Sequence, residues 1–396
     1  MESLASAPPA NPQAPSARAV VVIGAGLVGL CCAWLLARRG HRVLLLDGGE
    51  TTQRPLDADR PGERGSDAAL GVLMARVFHR SSGRGWRLRQ RSLELWGSWR
   101  RELAGRGRPI PWRPGLLLLA ADEADLTRQR LLLQDPRRQQ GDACQRLQPW
   151  DRQRLEQLDP VVPVAALGGL YSPLDGQLDP CAAMDALARD AAEVGMERQW
   201  GEVSALERSS QGWRLRLASG ASLETEWLVL AAGLGSTALL PVDLQPQPAR
   251  LEPVLGQALE LELDPADRPT PGDWPGSVVW RGINLIQRPP APGEDADVPW
   301  RVWLGATLEP GQEASVQALD SLRHLSGEAP DWLLRARICR HWQGLRARPH
   351  GQPAPLLQEL GGGLLLAAGH YRNGVLLAPA SAEWVTERIE AGQGQA

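Results

Sequence analysis

One stretch near the start limits what this chain can become: "RAVVVIGAGLVGLCCAWLLARRGHRVLLLD", residues 18 to 47. A run of β-branched residues at 19 to 23 predicts a buried strand, and the apolar segment after the glycine turn predicts a helix stopped at Gly40. A second strand follows at 42 to 46 and ends in Asp47. Spaced in this way, Gly24 permits the tight turn, Gly26 lets backbone N–H groups approach a pyrophosphate, and Gly29 lets the helix pack closely on the strand. The helix N-terminus favours an anion through its unpaired N–H groups and its dipole. Asp47 stands where a ribose hydroxyl finds an acceptor. A glycine turn alone is common, but here strand, helix and acid agree on a dinucleotide. The fingerprint leaves NAD and FAD both open, because each is gripped through the same ADP half.

Further along, "MERQWGEVSALERSSQGWRLRLASGASLETEWLVLAAG" (196 to 233) predicts a strand around Glu202 to Leu206 and a hairpin that alternates at Trp213, Leu215 and Leu217. An apolar strand at 227 to 231 then ends in small residues and Gly233, which permit a ligand or another backbone to come close. The 396 residues are more than one simple core requires, so two interlocked domains are expected. Apolar runs such as 227 to 234 fall short of a membrane span. A formal charge of -3 provides no basic face for nucleic acid.

All 43 basic residues counted as Lys+Arg are arginine. This excludes Schiff-base chemistry and the lysine of a phosphate-binding P-loop, since an always-protonated guanidinium performs neither. Five cysteines, at 31, 32, 144, 181 and 339, form no CxxC pair, so neither a disulfide scaffold nor a zinc site is expected and a reducing cytoplasm is the expected compartment. Residues 1 to 17, rich in Pro, Ala and Ser, are expected to form a disordered tail without a secretion signal.

Taken with these, the segments "GSDAALG" (65 to 71), "GGLYSPLDGQLDP" (168 to 180), "VLGQALEL" (254 to 261), "GATLEPG" (305 to 311), "HWQGLRARPHGQPAP" (341 to 355) and "AAGHYRNGVLLAP" (367 to 379) carry a resemblance over about 18 to 390. The chain resembles the D-amino-acid oxidase family of FAD enzymes, and within it the glycine oxidases linked to thiazole synthesis. The resemblance implies an α/β fold, α+β overall, with a Rossmann-like FAD domain and a second, mostly antiparallel sheet over the reactive face. On this chain the FAD domain would be discontinuous, 18–90, 150–245 and 330–396, and the covering domain 91–149 with 246–329. The Pro-rich segments "DPADRPTPGDWP" and "RPPAPGEDADVP" suit loops between short strands and argue against long helices in that middle stretch.

The cofactor contacts implied are Gly24, Gly26, Leu27, Val28, Gly29, Asp47, Ser66, Val203 by its backbone beside the adenine, Gly233, and the turn Arg372, Asn373, Gly374, Val375 and Leu376. The reaction implied is hydride transfer from the Cα–H of glycine or a small amine to flavin N5, with hydrolysis of the imine and reoxidation by O2 to H2O2. Arg346 matches the family's carboxylate-binding arginine, a role suited to a planar bidentate cation. Arg372 would face the substrate carboxylate or the flavin edge, and a helix opening at Asn373 would add its dipole there. Asn284 stands where glycine oxidases carry a tyrosine, and Ala347 replaces the proline of their "GLRP" signature. The FAD is expected to be non-covalent, because Trp342 and Gln343 occupy the loop where sarcosine oxidases have a tethering cysteine; Cys339 reads as a buried structural residue. His341 and His370 read as structural. A homo-oligomer and a thiazole synthase partner are further implications. Two alternatives remain: a D-amino-acid dehydrogenase that reduces a quinone, and a non-catalytic FAD-binding module.

Overall fold

The computed structural model describes residues 18–48, 65–138, 142–241, 250–268, 274–288 and 299–392. The N-terminal tail, and residues 269–273 and 289–298 of the two Pro-rich segments, lie outside these residues.

Val20 and Val22 of the first strand, Ala19–Ile23, join the core on one side of the sheet, while Val21 and Ile23 join the core on the other. A continuous apolar run buried on both faces is the pattern of a central parallel strand. Arg42–Asp47 and Trp227–Leu230 pair with it in parallel on either side. Among the described residues this sheet has six strands in the order Leu356–Glu359, Leu364–Ala368, Trp227–Leu230, Ala19–Ile23, Arg42–Asp47 and Glu197–Trp200, of which the first runs antiparallel to its neighbour and the others pair in parallel.

Helices Leu27–Arg38, Gly83–Gly105, Pro180–Glu193 and Gly374–Ala391 cover one face. The other face packs on a three-stranded sheet of Val203–Ser209, Gly212–Leu217 and Ser222–Thr225. Trp34 Nε1 donates to buried Asp190 at 2.8 Å, fixing the first helix against the one at 180–193.

A larger sheet lies beside this layer. Among the described residues, Leu251–Glu262, Arg301–Gly305, Ile283–Arg288, Ser277–Trp280, Trp112–Ala120 and Gly168–Leu178 form its backbone in that order, all antiparallel except the pair Ser277–Trp280 with Trp112–Ala120. The strand Gly168–Leu178, which the sequence reading grouped with the cofactor domain, belongs to this sheet, and so does Arg337–Pro349, twelve of whose residues pair with Leu251–Glu262. Conversely, the helix Gly83–Gly105 runs past residue 91 into the helical layer, where Trp96 Nε1 donates to Val375 O at 2.8 Å. Between residues 246 and 329 the longest helix described is Val316–Arg323, in keeping with the proline content.

Candidate active site

The strands Ala19–Ile23, Arg42–Asp47, Trp227–Leu230 and Leu364–Ala368 all end on the same edge of the six-stranded sheet. The chain goes from the first of them to one side and later returns on the other. A crevice opens at such a reversal, outside the carboxyl ends of the strands. Small residues line it. Gly24 has φ +106°, and a Cβ there would lie 2.5 Å from Ala231 O. A Cβ on Gly29 would fall 1.8 Å from Gly24 O, so only glycine lets this helix sit so near the turn. Gly233 has φ +59°, with nothing within 4 Å of the place a Cβ would take.

The helix beginning at Leu27 has Gly26 as its cap, and glycine provides no side chain to take the first N–H groups. Ser66 comes over from the 65–71 segment, and its hydroxyl accepts from Leu27 N at 3.0 Å. A Cβ on Gly26 would lie 3.1 Å from that oxygen, which leaves room for little else. Val28 is half-buried one residue further into the same turn. Gly26, Leu27 and Ser66 thus surround one point where N–H and O–H donors converge, the form of an anion cradle.

Asp47 is buried at the end of its strand and pairs with Arg198 Nη2 at 2.9 Å. This partner comes from the neighbouring parallel strand, 151 residues away in the chain. Gly201 N donates to Asp47 O at 2.9 Å, which brings Glu202 and buried Val203 to the mouth of the crevice. The strand begins at Val203, and its pairing register shifts between Val203 and Ala205.

A second helix start lies on the same edge. Leu364–Ala368 ends at Gly369, a 3-10 turn covers Tyr371–Asn373, and the α-helix opens at Gly374, one residue later than expected, with buried Val375 and Leu376 in its first turn. No side chain caps it. Arg372 is exposed, and it has no hydrogen bond or ion pair among the described residues. A Cβ on Gly282 would lie 3.8 Å from Arg372 Nη2, which places that guanidinium beside the hairpin carrying Asn284.

Arg346 sits on the long strand Arg337–Pro349 opposite Val254. Its guanidinium lies on Gly256, where a Cβ would come within 2.1 Å of Nη2. Nη1 donates to Leu255 O and Thr307 O, both at 3.1 Å, and no carboxylate pairs with it among the described residues. Burial, and then the positive charge of Arg372, hold this guanidinium below its usual pKa. A cation in that condition gains from an anionic ligand. Asn284 Nδ2 donates to Gly305 O at 3.1 Å and its Oδ1 accepts from Ser277 Oγ at 3.4 Å, so its amide already holds the wall of the site.

His370 is buried beside Ser381, with Nε2 at 2.8 Å from Oγ, and burial pushes its pKa down to about 3. It is a neutral packing residue. His341 meets Gln257 Oε1 through Nε2 at 3.0 Å, and burial lowers its pKa as well. Cys31 and Cys32 are fully buried in the first helix. Cys339 differs from the expectation of burial: it occupies the point where the pairing slips between Glu260 and Leu261, half-exposed, with its sulfur 3.7 Å from Glu262. A bulge leaves its extra residue unpaired and turns its side chain out of the ladder.

Comparison with known proteins agrees with this architecture. Residues 19–388 match the family model "FAD dependent oxidoreductase" (DAO). Glycine oxidase of Bacillus licheniformis is 27% identical over 381 residues, covering 93% of this chain and 92% of the relative. The crystal structure of glycine oxidase from Geobacillus kaustophilus has a TM-score of 0.76 at 25% identity, over 94% of this chain and 95% of that one. A bifunctional protein ThiO/ThiG of Synechocystis is 29% identical over 252 residues, which is 60% of this chain and 34% of the relative. No helix among the described residues is long and apolar enough to cross a membrane.

Proposed function

The chain belongs to the DAO family of FAD-dependent oxidoreductases and is an enzyme of amine or amino-acid oxidation; from that premise we propose that its substrate is glycine or another small amino acid or N-alkyl glycine, with O2 as the electron acceptor and H2O2 as a product. The observation that carries the proposal is Arg346. It is a desolvated guanidinium without an acid partner, anchored by one nitrogen and so left with the others for a carboxylate.

FAD fits the crevice as built, because glycines clear its floor and two helix starts whose N-cap residues supply no side-chain cap face its edge. On this reading Gly24, Gly26, Leu27, Val28, Gly29 and Ser66 hold the pyrophosphate, Asp47 and the Val203 backbone the adenosine half, and Gly233 with the 372–376 turn the remainder, non-covalently. The bound flavin supplies the electron sink for the hydride leaving the substrate Cα. The protein contributes orientation and charge. Arg346 fixes the substrate carboxylate as a fork. Arg372 and the amides opening the helix at Gly374 favour negative charge at the same edge. Two nearby guanidinium groups also depress the pKa of the substrate amine, so that its proton passes to water and the amine stands neutral. Neither His370 nor His341 is needed as a base. Asn284 holds the wall through Gly305 rather than lining it with a ring, which leaves more width beside the amine.

The proposal extends to the division into a cofactor domain (18–90, 150–245, 330–396) and a covering domain (91–149, 246–329), with the strands at 168–178 and 337–349 passing into the covering sheet. Cytoplasmic location, a homo-oligomer and a thiazole synthase partner are part of the same reading, supported for the last by the fused ThiO/ThiG relative. Anaerobic mixing of the purified holoprotein with glycine, sarcosine and small D-amino acids is expected to bleach the visible flavin band with at least one of them. An unchanged spectrum with all of them would remove the substrate claim.

A further inference from the structure

Behind Arg346 lies a buried polar network that the reaction as described does not use. Glu309, 8% exposed, accepts from Gln257 Nε2 at 3.0 Å, from Ser315 N at 2.6 Å and from the hydroxyl of Thr307. The Thr307 hydroxyl in turn accepts from Gln257 N at 2.7 Å, and Thr307 N donates back to Gln257 O at 3.0 Å. Gln257 Oε1 meets His341 Nε2 at 3.0 Å and completes the chain. The strand Leu251–Glu262 runs through the middle, with Leu255 opposite Glu309 on one side and Val254 opposite Arg346 on the other.

Thr307 is the link. Its carbonyl accepts from Arg346 Nη1, while both its N–H and its hydroxyl are committed to Gln257 and Glu309, so the residue has no freedom to turn. Each group that meets the Glu309 carboxylate is a donor, and an acceptor-only side chain is the one that satisfies them all. A glutamine there would direct an N–H₂ group at donors. A buried network of this kind fixes orientation when every member is satisfied.

We propose that Glu309 and Thr307 are positioning residues for substrate recognition: the carboxylate locks the Thr307 hydroxyl, the Thr307 carbonyl thereby takes one fixed direction, and Arg346 is held with its free nitrogens aimed at the substrate carboxylate. The inference rests on the carboxylate role given to Arg346 above. Positioning through a carbonyl acts on binding more than on the chemical step, so the effect falls on KM.

Thr307→Val keeps the shape and removes the hydroxyl, whereas Thr307→Ser keeps the hydroxyl. With FAD-loaded protein, Thr307→Val is expected to raise KM for the reactive amino acid about ten-fold, as expected for one misdirected hydrogen bond, with kcat changed less than about two-fold. Thr307→Ser should return KM to within about two-fold of the parent. Independently of turnover, acetate titrated against the visible band of the bound flavin should bind Thr307→Val about ten-fold more weakly. Glu309→Gln should follow Thr307→Val; if that variant does not fold, the threonine pair decides alone. Equal acetate affinity in parent and Thr307→Val, with only a lower Tm, would overturn the inference and leave Arg346 untouched. Absence of acetate binding by the parent protein would overturn both.

Discussion

Replacing Gly29 by alanine tests whether the glycine turn holds the cofactor by close approach. The new Cβ would start 1.8 Å from Gly24 O, a backbone atom, and 3.4 Å from Ala231 Cβ. Relief to a tolerable separation near 3.0 Å requires the helix start and the turn to part by about 1.2 Å. That movement exceeds the roughly 0.5 Å width of the hydrogen-bond distance window, so the Gly26 N–H and the Ser66 hydroxyl, which is held by Leu27 N, would lose their hold on a pyrophosphate. Two hydrogen bonds to a charged group at about 1.5 kcal/mol each give about 3 kcal/mol, a loss of FAD affinity of roughly a hundred-fold. Overpacking itself costs about 1–3 kcal/mol and lowers Tm by only a few degrees in a chain of this size. The ratio of flavin to protein absorbance after gel filtration, and reconstitution of apoprotein followed by flavin fluorescence, measure the effect. Gly40→Ala is the control: φ is +89° there, but nothing lies within 4 Å, so it should cost about 1 kcal/mol of stability and leave FAD bound. A Gly29→Ala protein that retains FAD within about three-fold of the parent would refute the reasoning.

Arg346→Lys is expected to raise KM for a carboxylate-bearing amine by about a hundred-fold with FAD content unchanged, because a point charge cannot keep two carbonyls and a carboxylate together; an unchanged KM would point to Arg372 instead. The folded pKa of His370 is about 3 against an ordinary 6.5, so the unfolded chain takes the proton first and stability falls as pH drops below about 6.5. Urea midpoints between pH 6 and 5 should therefore decline less steeply in His370→Asn than in the parent, by up to about 1 kcal/mol per unit; equal slopes would contradict this. With a thiol reagent at pH 8, exposed Cys144 should label in the native state, whereas Cys31 and Cys32, the latter pushed up to about 12 by burial, should label only after unfolding. A native peptide map with Cys32 modified would count against the burial of that helix.

The parts that could be read in the sequence are those in which neighbours along the chain are also neighbours in space. The fingerprint from Ala19 to Asp47 is local, so strand, helix and acid all appeared where their spacing put them. Arg198 could not be seen as the partner of Asp47, because a parallel pairing across 151 residues brings them together. The same holds for Gln257 and His341, which meet each other and the Thr307–Glu309 segment only through pairings of Leu251–Glu262. Strand assignment to one sheet or the other was likewise illegible: nothing local in "GGLYSPLDGQL" names its partners, and its pairing with 112–120 places it in the larger sheet.

The strand Arg337–Pro349 also works as a gauge. Trp342 Nε1 donates to Ala68 O at 3.1 Å, and Gly344 lies so close to Ala68 that a Cβ would be 2.4 Å from its methyl, which ties this strand to the segment that supplies Ser66. Trp342, Gly344 and Arg346 share one face of the strand, and about 13 Å of extended backbone separates the first from the last. The separation between the contact with Ala68 and the Arg346 guanidinium, the carboxylate anchor proposed above, is therefore set by the length of one strand. A single inserted residue would turn Arg346 to the opposite face and, on the proposed role, abolish carboxylate binding.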